Sequence, residues 1–211
     1  MYNWGMMSNQ DGGSQTLIAW HRWLLGWLDE DQVYCLPSDV LDSVEVTLVP
    51  IEREAEGFKA AMVPVSDRLV VVVESRREEG YDSNLSEKNS VGYYDDDGIR
   101  RRGWQGDYGT SGVIVYTYDT SVQDYNGQAR LQVPEGRIND KGMSSCPVEA
   151  CTLPGADLTN PFLMWDPENE GDILIESGYD PLLRLGDSVA VEGVTVELVE
   201  WGDYDRIRIS K

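Results

Sequence analysis

The run Leu69-Val70-Val71-Val72-Val73 limits what this chain can become more than any other feature. β-branched side chains are stiff at χ1 and pack well on a pleated surface. A run without polar alternation has no face to offer to water, so it suits a central strand covered on both faces. It is also the longest unbroken aliphatic run in the chain. A membrane-crossing helix needs about 20 apolar residues, so no membrane span is expected.

Other strands gather around this one. Val44 to Val49 alternates apolar and polar residues, as a half-buried strand does. Lys59 to Val65 precedes the central run, with a turn at Ser66-Asp67, and Gly112 to Thr120 is the next strong strand. Ile173–Ile175, Ser188–Val191, Val194–Val199 and Arg206–Ile209 follow. Glu192-Gly193 fits a two-residue hairpin turn, and Gly202-Asp203 begins the turn before the last strand. Residues 75–111 are polar and glycine-rich, and 121–171 are proline-punctuated; both read as long loops. The predicted fold class is mainly β: an antiparallel β-sandwich-like region preceded by one N-terminal Trp-rich helix.

That helix is predicted over 14–25. Ser14 suits the N-cap, and Leu17, Trp20, Leu24 and Trp27 recur at helical spacing, with Ile18 and Trp23 widening the apolar face. Gly26 is placed to end it in a left-handed conformation. Such a helix needs a partner surface, and in isolation it should expose apolar area around Trp20, Trp23, Leu24 and Trp27.

The net charge is -21, from 17 basic and 38 acidic residues. Phosphate binding needs a basic face, which argues against nucleic acid and against an anionic membrane surface. The acidity serves solubility, or a salty or calcium-rich exterior.

Few residues are arranged for chemistry. His21 is the chain's one histidine and reads as structural. A zinc peptidase needs two histidines four apart on a helix with a glutamate between them. No serine stands in a G-x-S-x-G elbow, and nothing links His21 to a cysteine. Carboxylate pairs suited to glycoside hydrolysis are a weak signal in so acidic a chain. Asp95-Asp96-Asp97-Gly98 supplies hard oxygen ligands that suit calcium, but Gly106 stands where an EF-hand glutamate belongs; a solvated acidic loop is the alternative. Cys146 and Cys151 are spaced to close a disulfide loop in an oxidising compartment. Zinc there lacks a second cysteine pair or a nearby histidine. Cys35 is left over, either as a buried free thiol or with a partner elsewhere. Tyr93, Tyr94, Trp104 and Tyr108 are candidate contact residues for a protein or glycan, or they fold back over the sheet.

Two strings carry a family resemblance: Trp4-Gly5-Met6-Met7-Ser8-Asn9, and Leu17-Ile18-Ala19-Trp20-His21-Arg22-Trp23-Leu24-Leu25-Gly26-Trp27-Leu28. Together they resemble the immune inhibitor A-like family of secreted zinc metallopeptidases. Weaker matches follow in order, among them Val46 to Pro50, Lys59 to Pro64, Glu74-Ser75-Arg76-Arg77, Gly112 to Asp119, and Gly186 through Val196. The resemblance implies that Met7 is the methionine of the turn beneath the zinc. It also implies that 1–30 is a remnant of the peptidase domain and 31–211 a β-rich region, with an extracellular location. In the family the His-Glu-x-x-His motif precedes the methionine turn; no such motif occurs here, so no catalytic or zinc residue carries over. The N-terminus, Met1 to Gly5, has no signal-peptide pattern. The expected function is therefore the C-terminal, non-catalytic portion of a secreted zinc metallopeptidase-like protein. Its expected partner is an upstream catalytic domain, or another protein, on the Trp20/Trp23/Trp27 helix face. The alternatives are a non-enzymatic β-sandwich module for protein or glycan, calcium-dependent if the aspartates bind metal, and an unrelated enzyme with a carboxylate site.

Overall fold

A computed structural model describes residues 16–83, 90–94, 100–105, 111–122, 128–132, 134, 163–165, 172–175 and 181–211. Among the described residues one α-helix, α1 (Ala19–Leu24), precedes thirteen strands. β1 is Val33–Cys35, β2 Ser43–Leu48, β3 Ala60–Pro64, β4 Leu69–Arg76, β5 Ser90–Tyr94, β6 Arg100–Gln105 and β7 Gly112–Asp119. β8 is Ala129–Leu131, β9 Leu163–Trp165, β10 Asp172–Ile175, β11 Ser188–Val191, β12 Val194–Glu200 and β13 Asp205–Ser210.

These form a five-stranded sheet in the order β1-β3-β4-β7-β8 and a four-stranded sheet in the order β11-β12-β13-β2. A further group, β5-β6-β10-β9, is described at the level of strand pairing. Pairing is antiparallel throughout, except for β1 with β3 and β10 with β6. β5, β6, β8 and β9 fall inside the segments read from sequence as loops.

The aliphatic run is the central strand that its composition predicts. Val71 and Val73 face one core, shared with Ala61, Val63, Val113 and Val115 of their own sheet. Val46, Leu48, Val196, Leu198, Ile207 and Ile209 of the four-stranded sheet complete it. Val70 and Val72 face a second core with Met62, Ile114, Tyr116, Ile18, Ala19 and Leu182. The two sheets thus pack as a sandwich, and α1 lies on the outer face of the five-stranded one. Burying a valine of this kind contributes about 1.5–3 kcal/mol, so both layers depend on this strand.

Two local predictions hold in detail. Glu192 and Gly193 both have positive φ, 52° and 76°, which is the type I′ turn that joins β11 to β12. Gly26 has φ 70° and closes a Schellman motif: Trp27 N–H donates to Arg22 O at 2.8 Å and Gly26 N–H to Trp23 O at 3.0 Å.

The helix start differs from expectation. Ser14 lies outside the described residues, and Thr16 to Ile18 lead into the helix as buried chain. The N-cap residue is Ile18, which has no side-chain acceptor to offer the first turn. The acceptor comes from β4 instead.

Candidate functional site

Glu74, at the polar end of β4, caps the helix across the fold. Its Oε2 accepts the Ala19 N–H at 2.6 Å and the Tyr116 hydroxyl at 3.2 Å. Tyr116 in turn accepts the Trp20 N–H at 3.2 Å. A carboxylate at a helix N-terminus meets the orphan N–H groups that the local chain leaves open. On its other side Glu74 accepts from Arg76 at 2.7 Å, and Arg76 holds Asp82 through both carboxylate oxygens. Glu74, Arg76, Asp82 and Tyr116 are all fully buried. Burial, then the Glu74 carboxylate, pushes the Tyr116 hydroxyl well above its ordinary range. Asp82 and Glu74 hold the Arg76 guanidinium charged against the cost of burying it. No solvent reaches these groups, so their role is structural: they fix α1 on the sheet. Arg22 adds a second anchor, donating to Leu17 O at 3.1 Å and pairing with Glu52 and Thr16.

The opposite face of β4 carries Ser75, which donates to Asp205 of β13 at 2.7 Å. Arg77 pairs with Asp205 at 2.6 Å and lies 4.4 Å over the Trp201 ring. These contacts tie the two sheets together where β4 ends and β13 begins.

A helix held so firmly presents its remaining side to solvent. Trp20 is half-buried, stacked on Tyr118 at 5.0 Å and tilted by 44° against Trp23 at 5.2 Å. Beyond it, Trp23, Leu24, Leu25 and Trp27 are 40%, 58%, 57% and 64% exposed. The open apolar area therefore centres on Trp23 to Trp27 rather than on Trp20. A groove of about 340 Å³ runs beside it, between the helix and the β1, β3 and β4 strands. Trp20, Trp23, Val33, Met62 and Val70 form its apolar lining; Cys35, Glu30, Asp67 and Arg68 also line it. Cys35 is a free and exposed thiol, not a buried one.

His21 sits half-buried, edge-on to Tyr118 with ring centroids 5.7 Å apart. Desolvation lowers its pKa below 6.5, opposed by the Glu74 charge. Among the described residues no group of His, Cys, Asp and Glu is arranged to hold a metal, and this lone histidine does not fit the zinc that the resemblance implies. Met7, Asp95, Asp96, Asp97, Tyr108, Cys146 and Cys151 lie outside the described residues. Tyr93, Tyr94 and Trp104 fall in paired strands, Tyr93 and Tyr94 in β5 and Trp104 in β6. Among the described residues no helix is long and apolar enough to cross a membrane.

Sequence reasoning found the aromatic helix but missed the groove. The groove depends on β1, whose Val-Tyr-Cys segment is too short to announce itself as a strand. No protein-family model, curated protein or solved structure matches this chain.

Proposed function

We propose that this chain is a non-catalytic portion of a secreted zinc metallopeptidase-like protein, acting as a scaffold on which a catalytic domain docks. One observation supports the reading above others. α1 is pinned by a buried ionic network, yet its C-terminal turn leaves Trp23, Leu24, Leu25 and Trp27 open. Two tryptophans and two leucines on one rigid element form the kind of anchor cluster found at the centre of protein interfaces. The partner class is the one that the resemblance carried by Trp4 to Asn9 and Leu17 to Leu28 implies. On this reading the surface does no chemistry; it orients and stabilises the domain that does.

Reading the DNA upstream of Met1 tests the proposal. An in-frame His-Glu-x-x-His segment supports it. Its absence, or chelator-sensitive proteolysis by these residues alone, overturns it.

A further inference from the structure

The chain's charge is large, and the fold distributes it unevenly. Among the described residues thirteen aspartates and glutamates are exposed, against five exposed lysines and arginines. Four further cations are engaged inside the fold. Arg76 is fully buried between Glu74 and Asp82, Arg77 pairs with Asp205, and Arg22 pairs with Glu52. Lys59 is buried and donates to Pro50 O at 3.2 Å and to Arg53 O. These positive charges hold the interior together and do not neutralise the surface. Asp39, Asp42, Glu54 and Glu56 are exposed, and among the described residues no side-chain cation faces them.

Dissolved salt acts on such a chain with two opposite signs. It weakens exposed ion pairs, and the four-stranded sheet carries a ladder of them. Glu45 receives Arg206 and Arg208, which also reach Glu200 and Glu197. Exposed pairs of this kind contribute little, and three carboxylates share two guanidiniums, so the ladder itself keeps a negative excess. The buried pairs around Arg76 are screened far less. Repulsion among the remaining carboxylates acts across the whole surface and favours the expanded chain. It is relieved as the Debye length falls from about 10 Å at 0.1 M to about 3 Å at 1 M. Repulsion therefore decides the sign. We infer that this fold is adapted to concentrated salt: high ionic strength screens the surface carboxylates and supplies a large part of its stability. The inference rests on the number and placement of charges, and it stands whether or not a catalytic domain docks on α1.

Urea unfolding of the full chain in a series of NaCl concentrations, followed by tryptophan fluorescence, tests this. Between about 0.05 and 1 M NaCl the midpoint should rise by at least about 1 M urea. KCl should act as NaCl does, because screening depends on ionic strength. Stronger burial of apolar surface in salt would also raise the midpoint, so a charge variant separates the two causes. Asp39→Lys, Asp42→Lys, Glu54→Lys and Glu56→Lys together shift the net charge from -21 by eight units, all at exposed positions. Repulsion scales with the square of the charge, so the NaCl-driven rise should fall to about half or less. The variant should also outlast the parent in urea without added salt. The milder set Asp39→Asn, Asp42→Asn, Glu54→Gln and Glu56→Gln should keep about two thirds of the rise. The inference is overturned by a midpoint that stays flat or falls with NaCl, or by an equal rise in parent and variants. It is equally overturned if about 5 mM CaCl2 in dilute buffer gives the full rise, which would mark a specific cation site instead.

Discussion

Replacing Glu74 by glutamine probes the joint on which the layered arrangement depends. The carboxylate accepts three hydrogen bonds while fully buried: from Arg76, the Ala19 N–H and the Tyr116 hydroxyl. A glutamine of the same shape has a single acceptor oxygen. Whichever way its amide lies, the NH2 end faces either the guanidinium or the first N–H of the helix. Removing one partner of a buried ion pair costs about 3–5 kcal/mol. Asp82 still holds Arg76 bidentately, which places Glu74→Gln at the lower end, about 3 kcal/mol. With a urea m-value of about 2 kcal/mol/M, the unfolding midpoint should fall by about 1.5 M without change in slope. The Trp20 ring, stacked on Tyr118, should report the loss as a red-shifted emission before global unfolding. Tyr116→Phe leaves the Trp20 N–H without its acceptor and should cost less, about 1–1.5 kcal/mol. A Glu74→Gln chain within about 0.5 kcal/mol of the parent would refute the capping argument.

Three further outcomes follow from single positions. Because desolvation lowers the His21 pKa, the unfolded chain binds its proton more readily; the resulting stability is full above 6.5 and is lost as pH falls through the folded value. The one imidazole signal in an NMR titration should therefore have its midpoint below 6.5, and a midpoint at or above that value contradicts the burial argument. Glu192 holds a left-handed conformation at an exposed turn position, so Glu192→Asn should raise stability by about 0.5–1 kcal/mol in thermal unfolding. Gly112→Ala should destabilise by about 1–3 kcal/mol, because the new methyl would stand 2.8 Å from Leu182 Cδ2 where residues 182–183 press on β7; an unchanged melting temperature would count against that close approach.

The strands legible in the sequence were those whose side chains state their surroundings. Leu69 to Val73 has no polar face and lies between two cores, and Val194 to Val199 alternates and is half-covered. What stayed illegible were polar residues whose burial depends on distant partners. Ser75 and Arg76 look like the start of a surface loop, yet they extend β4, and with Glu74 they are fully buried because Ala19, Tyr116, Asp82 and Asp205 satisfy the three side chains. The helix start failed for the same reason. Local capping rules point to Ser14, whereas the acceptor for the Ala19 N–H lies 55 residues away. Of the candidate site, the aromatic helix was readable from spacing. The groove was not, since a three-residue edge strand carries no periodicity.

The central claim is that the open turn of α1 is a docking surface for a catalytic domain. Hydroxyl-radical footprinting of the tryptophans tests it most directly, comparing this chain alone with the same chain joined to an upstream His-Glu-x-x-His domain. The account predicts that Trp23 and Trp27 are readily oxidised in the isolated chain and protected in the joined protein, with Trp20 little changed. Equal oxidation of Trp23 and Trp27 in both forms, or their protection in the isolated chain, would contradict it.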